Sequence, residues 1–498
     1  MMKKFITLLL IIPLLAFCGK KEEVVPDPDT TEEQKPDDPK PDDPTPDPDP
    51  QPDPEPQPED PSLYDDAAPE VKDGDEVQAT NPLVEKFLTE VDYEDQTCTK
   101  STKVLDYYGG FNGTELNWDT WKKDWPDGDK PEKYSIRWKQ ADIVEGEVMN
   151  LHLEDKLGWK GDLEIAAGSC YIDITNLVPG DQYTYSVTSA GGKELTKGTF
   201  TTKAGCTLHQ VFFTGLSKKL EAKNGKGSGV RNGRDLGGWP TLSGKTVKYR
   251  KLYRGGRMND PWETMLNKQG KKEVVFEGIG AQIDLRGSDD VVKKPAVDGL
   301  DHCAPVIEEG GKVMLGVSKP SNYNCAKWLA FDVQREDMKS KSKDELKNYT
   351  PTAEELEAFQ VAYRAKTKQL FDFVLASVKA NKPVYFHCSL GRDRTGTLDI
   401  ILLGVLGVRE GIIAKEYEVT YFAPVGYSVS SSDKGTNPEP IFKNTRMAWV
   451  YSDIVPYFWD LAKTKGDGTF ASGVEYYLVN IAGVAQADIN EFRNLMLE

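Results

Sequence analysis

The feature that most constrains the fold is a short polar loop between two apolar segments. The run KPVYF (382–386) is followed by HCSLGRDRTG (387–396), which leads into the apolar TGTLDIILLGVLGV (395–408). A short apolar run followed by a longer apolar stretch predicts a buried strand that feeds a buried helix. Because open α/β sheets bind ligands where strands end and helices begin, the loop is predicted to lie at a ligand site.

The segments upstream of this loop continue the alternation of strands and helices. GAQIDLRG (280–287) has the composition of a short buried strand, and residues 352–381 have helical periodicity over a long stretch. Strands that alternate with helices favour an α/β domain with a largely parallel central sheet flanked by helices.

The loop residues are suited to bind an oxyanion. Backbone N–H groups at the start of a helix form a nest that attracts negative charge, and the same field lowers the pKa of a thiol such as Cys388. The planar guanidinium of Arg394 can hold two oxygens of a phosphate, and Gly391 allows a close backbone approach. The alternative is a buried structural cysteine in an ordinary turn.

The ten residues match HCxxGxxRTG, the extended Cys-X5-Arg loop of the protein-tyrosine-phosphatase superfamily. VRNGRDLGGW (230–239) and KYRKLYRGGRM (248–258) resemble segments of bacterial tyrosine/lipid phosphatases, and the resemblance covers about residues 225–498. Two residues depart from the family pattern, since Leu390 replaces the usual alanine and Arg392 the usual lysine. Arg392 keeps the positive charge but changes its reach, which bears on a preference for lipid phosphates.

The resemblance implies a phosphomonoester hydrolase that works through a cysteinyl-phosphate intermediate, without a metal or other cofactor. Cys388 would be the nucleophile, Arg394 the phosphate clamp and Asp393 the general acid. The phosphate-binding residues would be Ser389, Leu390, Gly391, Arg392, Asp393 and Arg394. The supporting residues would be His387, Thr395, Asp235, Arg234 and Asp284, of which Arg234 and Asp284 are expected to orient the loop.

The general acid is open to other assignments. Asp235 competes with Asp393, and so do Glu308 and Glu309, because the family also has an acidic residue in the corresponding loop. The segment DWPDGDK (124–130) contains the letters WPD, which resemble the acid loop of animal tyrosine phosphatases. Since the segment lies far upstream, in the β-domain, we interpret this match as a coincidence.

The resemblance also implies the partners of the site. A protein carrying phosphotyrosine is the expected substrate, with a phosphoinositide or an inositol phosphate as the alternative. A different class of function is a phosphate-binding adhesion module with little turnover.

A second domain precedes the α/β domain. From about residue 130, apolar and polar residues alternate between Gly, Asp and Pro turns, which predicts an all-β structure. The tyrosine that follows the turn in LVPGDQYTYSV resembles the tyrosine corner of immunoglobulin-like sandwiches, with Tyr183, Tyr185 and Val187 on one face. Residues ~95–204 thus resemble a fibronectin type III domain, with Trp138 in its core.

The N-terminus predicts export to a bacterial cell envelope. Two lysines and a short apolar run precede Cys18, and LLAFC resembles a lipobox, although Phe17 stands where a small residue is usual. Cys18 is therefore the expected lipidation site and membrane anchor, unless it is incidental to a plain cleaved signal. Cysteines occur without CxxC spacing, and disulfide pairing among Cys98, Cys170 and Cys206 stays open.

The net charge of −18 comes mostly from one segment, because residues 21–70 contain 19 Asp and Glu against three Lys. This proline-rich stretch predicts an extended, disordered spacer, and the nearly neutral remainder argues against nucleic-acid binding. The predicted organisation is a signal (1–18), an acidic linker (19–80), a β-sandwich (81–204) and a phosphatase-like domain (205–498). Residues 81–93 fit either a short helix or a strand.

Overall fold

The computed structural model describes residues 61–90, 128–215, 229–259, 266–286, 294–305, 322–423, 427–428, 439–440 and 454–498. The predicted signal, Cys18 and the acidic segment up to residue 60 lie outside these ranges. Within the described ranges, no helix is long and apolar enough to cross a membrane.

The strands, in chain order, are β1 (Asp75–Val77), β2 (Tyr134–Arg137), β3 (Met149–Asp155), β4 (Lys160–Ile165), β5 (Tyr171–Ile174), β6 (Gln182–Ser189), β7 (Glu194–Thr202), β8 (Phe213–Thr214), β9 (Gly229–Val230), β10 (Arg234–Asp235), β11 (Leu252–Gly255), β12 (Ala281–Asp284), β13 (Asp301–Cys303), β14 (Val384–His387), β15 (Tyr427–Ser428) and β16 (Glu439–Pro440). The α-helices are α1 (Pro82–Glu90), α2 (Lys268–Phe276), α3 (Asn322–Phe331), α4 (Glu336–Lys339), α5 (Lys343–Lys347), α6 (Ala353–Lys379), α7 (Asp393–Leu406), α8 (Glu410–Glu418), α9 (Val455–Lys465), α10 (Phe470–Tyr476) and α11 (Gln486–Met496).

The first half of the described chain is built from β-sheet. A five-stranded sheet has the order β1-β7-β6-β3-β4, and β2 pairs with β5 in a separate antiparallel ribbon. The alternation predicted for β6 is confirmed, because Tyr183, Tyr185 and Val187 are all buried. The Tyr183 hydroxyl accepts a hydrogen bond from the Val178 amide at 2.7 Å, and Trp138 is buried in the same core.

The second half contains a five-stranded sheet in the order β10-β11-β14-β12-β13. The pairs β11/β14, β14/β12 and β12/β13 are parallel, whereas β10 runs antiparallel to β11. The strand β14 therefore lies in the middle of the sheet, and all four of its residues are buried. The polar loop that follows this strand begins at the centre of the domain.

The helices predicted before and after β14 in the chain are both present. The helix α6 begins at a capping box in which Thr352 accepts from the Glu355 amide while the Glu355 side chain accepts from the Thr352 amide. The helix α7 is buried from Thr395 to Leu406, as its largely apolar sequence predicts. It ends at Gly407, whose φ of 86° is left-handed.

The helix α1 packs in the α/β core. Val84, Phe87 and Leu88 are buried in the cluster that contains the strands and helices of the second half. Residues 61–80, predicted as linker, include β1, which pairs with β7 in parallel. The boundary predicted between the linker and the β-sandwich, at residues 80 and 81, therefore does not coincide with the packing. The chain first adds the strand β1 to the β-sheet half and then adds the helix α1 to the core of the α/β half.

Arg250 joins the two halves. Its Nε donates to Asp155 of β3 at 3.0 Å, its Nη1 bonds Glu277, and its guanidinium lies 4.1 Å from the centre of the Trp159 ring. Arg250 is buried, and a buried guanidinium requires carboxylate partners to offset the loss of water. These contacts fix the β-sheet half against the α/β half.

The five cysteines in the described ranges are free thiols. Cys170, Cys206, Cys303, Cys325 and Cys388 are all buried, and none is in a disulfide. Of the three cysteines whose pairing stayed open, Cys98 lies outside the described residues.

The packing of α1 predicts that Phe87→Ala destabilises the protein. Phe87 is fully buried, with its ring centre 5.4 Å from that of Phe422, so the substitution should lower the free energy of unfolding by ~3–5 kcal/mol. Urea denaturation of the full chain measures the change. Thr89→Ala, at an exposed position of the same helix, is the control and should change it by less than ~0.5 kcal/mol. Equal midpoints for the two variants would contradict the assignment of α1 to this core.

Candidate active site

The loop from Cys388 to Arg392 connects the end of β14 to the start of α7. Within it, Gly391 has a φ of +70° and lies against the backbone of the loop after β11. A Cβ atom at Gly391 would come within 2.3 Å of the Gly255 carbonyl and 2.7 Å of the Gly256 amide nitrogen. Only glycine fits both the conformation and the space, as the sequence predicts for this position.

Four consecutive carbonyls of the loop are bonded to groups on its inner side. The Cys388 carbonyl contacts Nδ1 of His387 at 2.9 Å, and the Ser389 carbonyl accepts from the Arg257 amide at 3.2 Å. The Leu390 and Gly391 carbonyls accept from Nδ2 of Asn232 at 3.2 and 3.0 Å. Arg254 Nη2 donates to the Gly391 carbonyl at 2.8 Å.

This bonding fixes the direction of the loop amides. In a planar trans peptide the N–H points away from the C=O of the same unit. With the carbonyls of residues 388–391 turned toward buried donors, the N–H groups of residues 389–392 face the opposite side, which is also the N-terminal end of α7. Such a row of amides beside a helix N-terminus attracts an anion.

The Cys388 thiol lies in this field. Burial alone would raise the pKa of Cys388, but the charge of Arg394 and hydrogen bonding from the Thr395 side chain and backbone outweigh burial and hold the pKa below its ordinary value. The Thr395 hydroxyl is buried and has no hydrogen-bond partner among the described residues, so it is available to the neighbouring thiolate. Cys388 is thus activated toward the thiolate.

His387 is held neutral behind the nucleophile. The Gln282 carbonyl oxygen accepts from the Ala296 amide at 2.7 Å, so the Gln282 amide nitrogen donates to Nε2 of His387 at 2.9 Å. The histidine proton therefore lies on Nδ1, which donates to the Cys388 carbonyl. Burial lowers the pKa of His387, and this favours the neutral ring.

Arg234 and Arg254 form a buried ion cluster beneath the loop with Asp399 and Glu416. Arg254 Nη1 lies 2.6 Å from Asp399 and 2.8 Å from Glu416, and Arg234 Nε bonds the other oxygen of Glu416. Burial would raise the pKa of Glu416, but the two arginines lower it to about 2. Burial and the nearby Glu416 raise the pKa of Asp399 well above its usual value.

Arg234 also holds Asn232, the residue that supports the loop. Its Nη1 donates to the Asn232 side-chain oxygen at 2.5 Å, which leaves the Asn232 amide group to donate to the loop carbonyls. The sequence-based expectation that Arg234 orients the loop agrees with this contact. Asn232, Arg254, Asp399 and Glu416 were not singled out by sequence reasoning, because only the fold brings them together.

Of the remaining predicted residues, Arg394 and Asp393 lie at the partly exposed rim of the loop, whereas Asp284 is buried at the end of β12. Arg394 is half-buried, and its Nη1 donates to the Leu285 carbonyl at 2.9 Å. The Asp393 carboxylate pairs with Arg392 at 3.1 Å. Asp284 pairs with Arg286 at 2.6 Å. Burial would raise the pKa of Asp284, but the hydrogen bonds and the charge of Arg286 contribute to lowering it.

The competing acids are placed differently. Asp235 is fully buried and accepts from the Gly237 amide at 2.9 Å and the Arg250 amide at 2.6 Å, on the side of β10 that faces His209. Its oxygens are therefore engaged away from the Cys388 loop. Glu308 and Glu309 lie outside the described residues.

Residues 128–130, the described end of DWPDGDK, lie close to the residues that support the loop, so the interpretation that placed them far from it in the β-domain is wrong. Residues 124–127 lie outside the described ranges. Asp129 is buried beside Arg231 and accepts a hydrogen bond from the Asn232 backbone amide at 2.6 Å. The side chain of the same Asn232 donates to the Gly391 carbonyl. The large separation in sequence wrongly suggested a large separation in space, although Asp129 contacts Asn232.

Comparisons with known proteins agree with this geometry. The profile described as "Tyrosine phosphatase family" matches residues 226–498, more than half of the chain. A protein of Cupriavidus necator named "Putative tyrosine-protein phosphatase" is 24% identical over 195 residues, which are 38% of this chain and 59% of that protein. The chain thus matches less than two thirds of that relative's length. Because the profile spans the α/β half and includes the Cys388 loop, the chain belongs to the tyrosine phosphatase family.

Proposed function

We propose that this protein hydrolyses phosphate monoesters, with phosphotyrosine in proteins as its substrate, through a cysteinyl-phosphate intermediate. The observation that carries the proposal is the Cys388 thiol, whose lowered pKa coincides with a loop that bonds all four carbonyls of residues 388–391 inward. A nucleophile and an oxyanion cradle therefore share one site. This is the arrangement that transfer of a phosphoryl group requires.

In the first step, the Cys388 thiolate attacks phosphorus. An S–P bond forms while the P–O bond to the tyrosine oxygen breaks, and the leaving oxygen takes a proton from the carboxyl group of Asp393. Asp393 suits this role by its position, because Arg392 keeps its side chain at the loop while 30% of that side chain stays exposed to an incoming substrate. Arg394 and the loop amides stabilise the three equatorial oxygens.

In the second step, water attacks the phosphorus of the intermediate. The S–P bond breaks, the thiolate is regenerated, and Asp393 accepts the proton released by the water. Thr395 stabilises the departing thiolate from the first turn of α7. The scheme needs no metal or other cofactor.

The burial of Arg392 and its pairing with Asp393 favour a protein monophosphate as the substrate. This guanidinium is 8% exposed and bonds Asp393 through Nε and Nη2, so its charge is used within the loop. It is less available to a second phosphate of a phosphoinositide, which favours a monophosphate on a protein. Phosphoinositides and inositol phosphates are the competing substrates in the test below.

The rest of the chain suggests where the reaction takes place. We propose that the protein is exported to the cell envelope and attached to a membrane through lipidated Cys18, with the acidic segment as a spacer. The β-sheet half is proposed to be an immunoglobulin-like sandwich of the fibronectin type III kind. The bond from the Val178 amide to the Tyr183 hydroxyl and the buried Trp138 support that proposal.

The nucleophile is tested by Cys388→Ser. This variant should lose hydrolysis of an aryl phosphate and of a phosphotyrosine peptide, since a serine hydroxyl is not ionised at neutral pH. Cys303→Ser is the matched control, because Cys303 is also buried near the end of a sheet strand but burial raises its pKa to about 11. A Cys388→Ser variant that retains wild-type turnover would refute the mechanism. Faster turnover of a phosphoinositide than of the peptide would replace the proposed substrate.

The activation of Cys388 predicts a pH dependence. A lowered pKa means that the thiolate forms at a lower pH than in an ordinary cysteine, so alkylation by iodoacetate should accelerate at a lower pH than it does for a free cysteine thiol. Thr395→Val should move the acceleration of alkylation to higher pH and slow alkylation severalfold on the acidic side of the profile, because Thr395 is one of the groups that lower the pKa of Cys388.

Thr397→Val is the control for this experiment. Thr397 is buried in the same helix, but its hydroxyl donates to the Asp393 carbonyl at 2.9 Å instead of facing the sulfur. Its alkylation profile should match the wild type. Identical profiles for the two valine variants would contradict the role given to Thr395.

A further inference from the structure

Asp129 connects a segment upstream of the family match to the Cys388 loop. The matched region begins at residue 226, and Asp129 lies almost one hundred residues before it. Asp129 is 3% exposed. Its carboxylate accepts from Arg231 Nε at 3.0 Å, from Arg231 Nη2, and from the Asn232 backbone amide at 2.6 Å. A fork-to-fork pair with an added backbone bond fixes both partners in orientation.

The first connection from Asp129 to the loop runs through Asn232. The backbone of Asn232 has a φ of +61°, a conformation that non-glycine residues seldom adopt without support. The bond from its amide to Asp129 provides such support. In this conformation the Asn232 side chain donates to the carbonyls of Leu390 and Gly391.

The second connection runs through Arg231. The Arg231 carbonyl accepts a hydrogen bond from the Gly256 amide at 2.8 Å. Gly256 packs so closely against Gly391 that a Cβ atom on Gly391 would lie 2.7 Å from the Gly256 nitrogen. The guanidinium of Arg231 is buried, so it needs a carboxylate to offset the loss of water. Asp129 therefore fixes the main chain at Arg231 and Asn232, and these two residues in turn support the Cys388 loop.

We propose that Asp129 is a positioning residue for the phosphate-binding loop, so that the cradle formed within residues 226–498 is completed by a carboxylate from the preceding part of the chain. The inference rests on the proposed function of the Cys388 site. Asp129 acts by holding Asn232, whose side chain turns the Leu390 and Gly391 carbonyls inward, and Arg231, whose carbonyl holds Gly256 against the loop.

The test compares Asp129→Asn with Asp155→Asn in the full chain. Asp155 is a matched control, because it is also buried and pairs with an arginine of the same region, Arg250, but does not bond Asn232 or the loop. Both variants lose a buried ion pair and should lose thermal stability. Only Asp129→Asn should weaken orthovanadate binding, by tenfold or more, and move the alkylation of Cys388 to higher pH.

A second variant keeps the test informative if Asp129→Asn does not fold. Asn232→Gly retains a residue that tolerates a positive φ but removes the side-chain amide, so it should weaken orthovanadate binding in the same way. Where both variants fold, their double variant should lose less than the sum of the two single effects, since they act through one connection.

The outcomes separate this inference from the proposed function. If Asp129→Asn lowers stability but binds orthovanadate and alkylates like the Asp155→Asn control, Asp129 is a structural residue only and the inference is overturned. Orthovanadate binding and alkylation do not require turnover. A wild-type protein that binds orthovanadate without hydrolysing phosphate esters would thus refute the proposed function and still allow the role of Asp129 to be measured.

Discussion

The bond from Arg254 to the Gly391 carbonyl is the contact on which the site depends most. Arg254 is a fully buried residue of β11, and Glu416 of α8 and Asp399 of α7 lie against its guanidinium and offset the cost of removing its charge from water. The same guanidinium that these carboxylates hold reaches the loop at 2.8 Å. The strand, both helices and the loop are thus tied together by one charged group.

This arrangement gives a physical basis for the proposed binding of a phosphate group by the loop. The loop carbonyls are occupied from below by Asn232, Arg254 and His387, so the amides have a fixed direction before any anion arrives. Preorganised dipoles stabilise charge without the reorganisation that water would need. The lowered pKa of Cys388 results from the charge of Arg394 and from the side chain and backbone of Thr395, which outweigh the burial of the thiol.

Local patterns predicted local features well. The strand β14, the helices α6 and α7 and the buried face of β6 follow from periodicity, and the need for glycine at position 391 follows from the tight loop. The same patterns did not reveal Glu416 or Asp129, because each is a single carboxylate whose role depends on an arginine far away in the sequence. Helix α1 was also ambiguous in the sequence, since its core partners lie hundreds of residues downstream. Contacts between distant segments are set by the fold, and one sequence without its structure carries little signal for them.

The central claim is that Cys388 takes the phosphoryl group from the substrate. The most direct measurement is acid quenching of the full-length protein during turnover of an aryl phosphate, followed by mass spectrometry of the peptide that contains residues 387–396. The account predicts a transient phosphate adduct on Cys388 that disappears when the substrate is exhausted. Turnover with no adduct on this peptide, or with the phosphate on another residue, would contradict it.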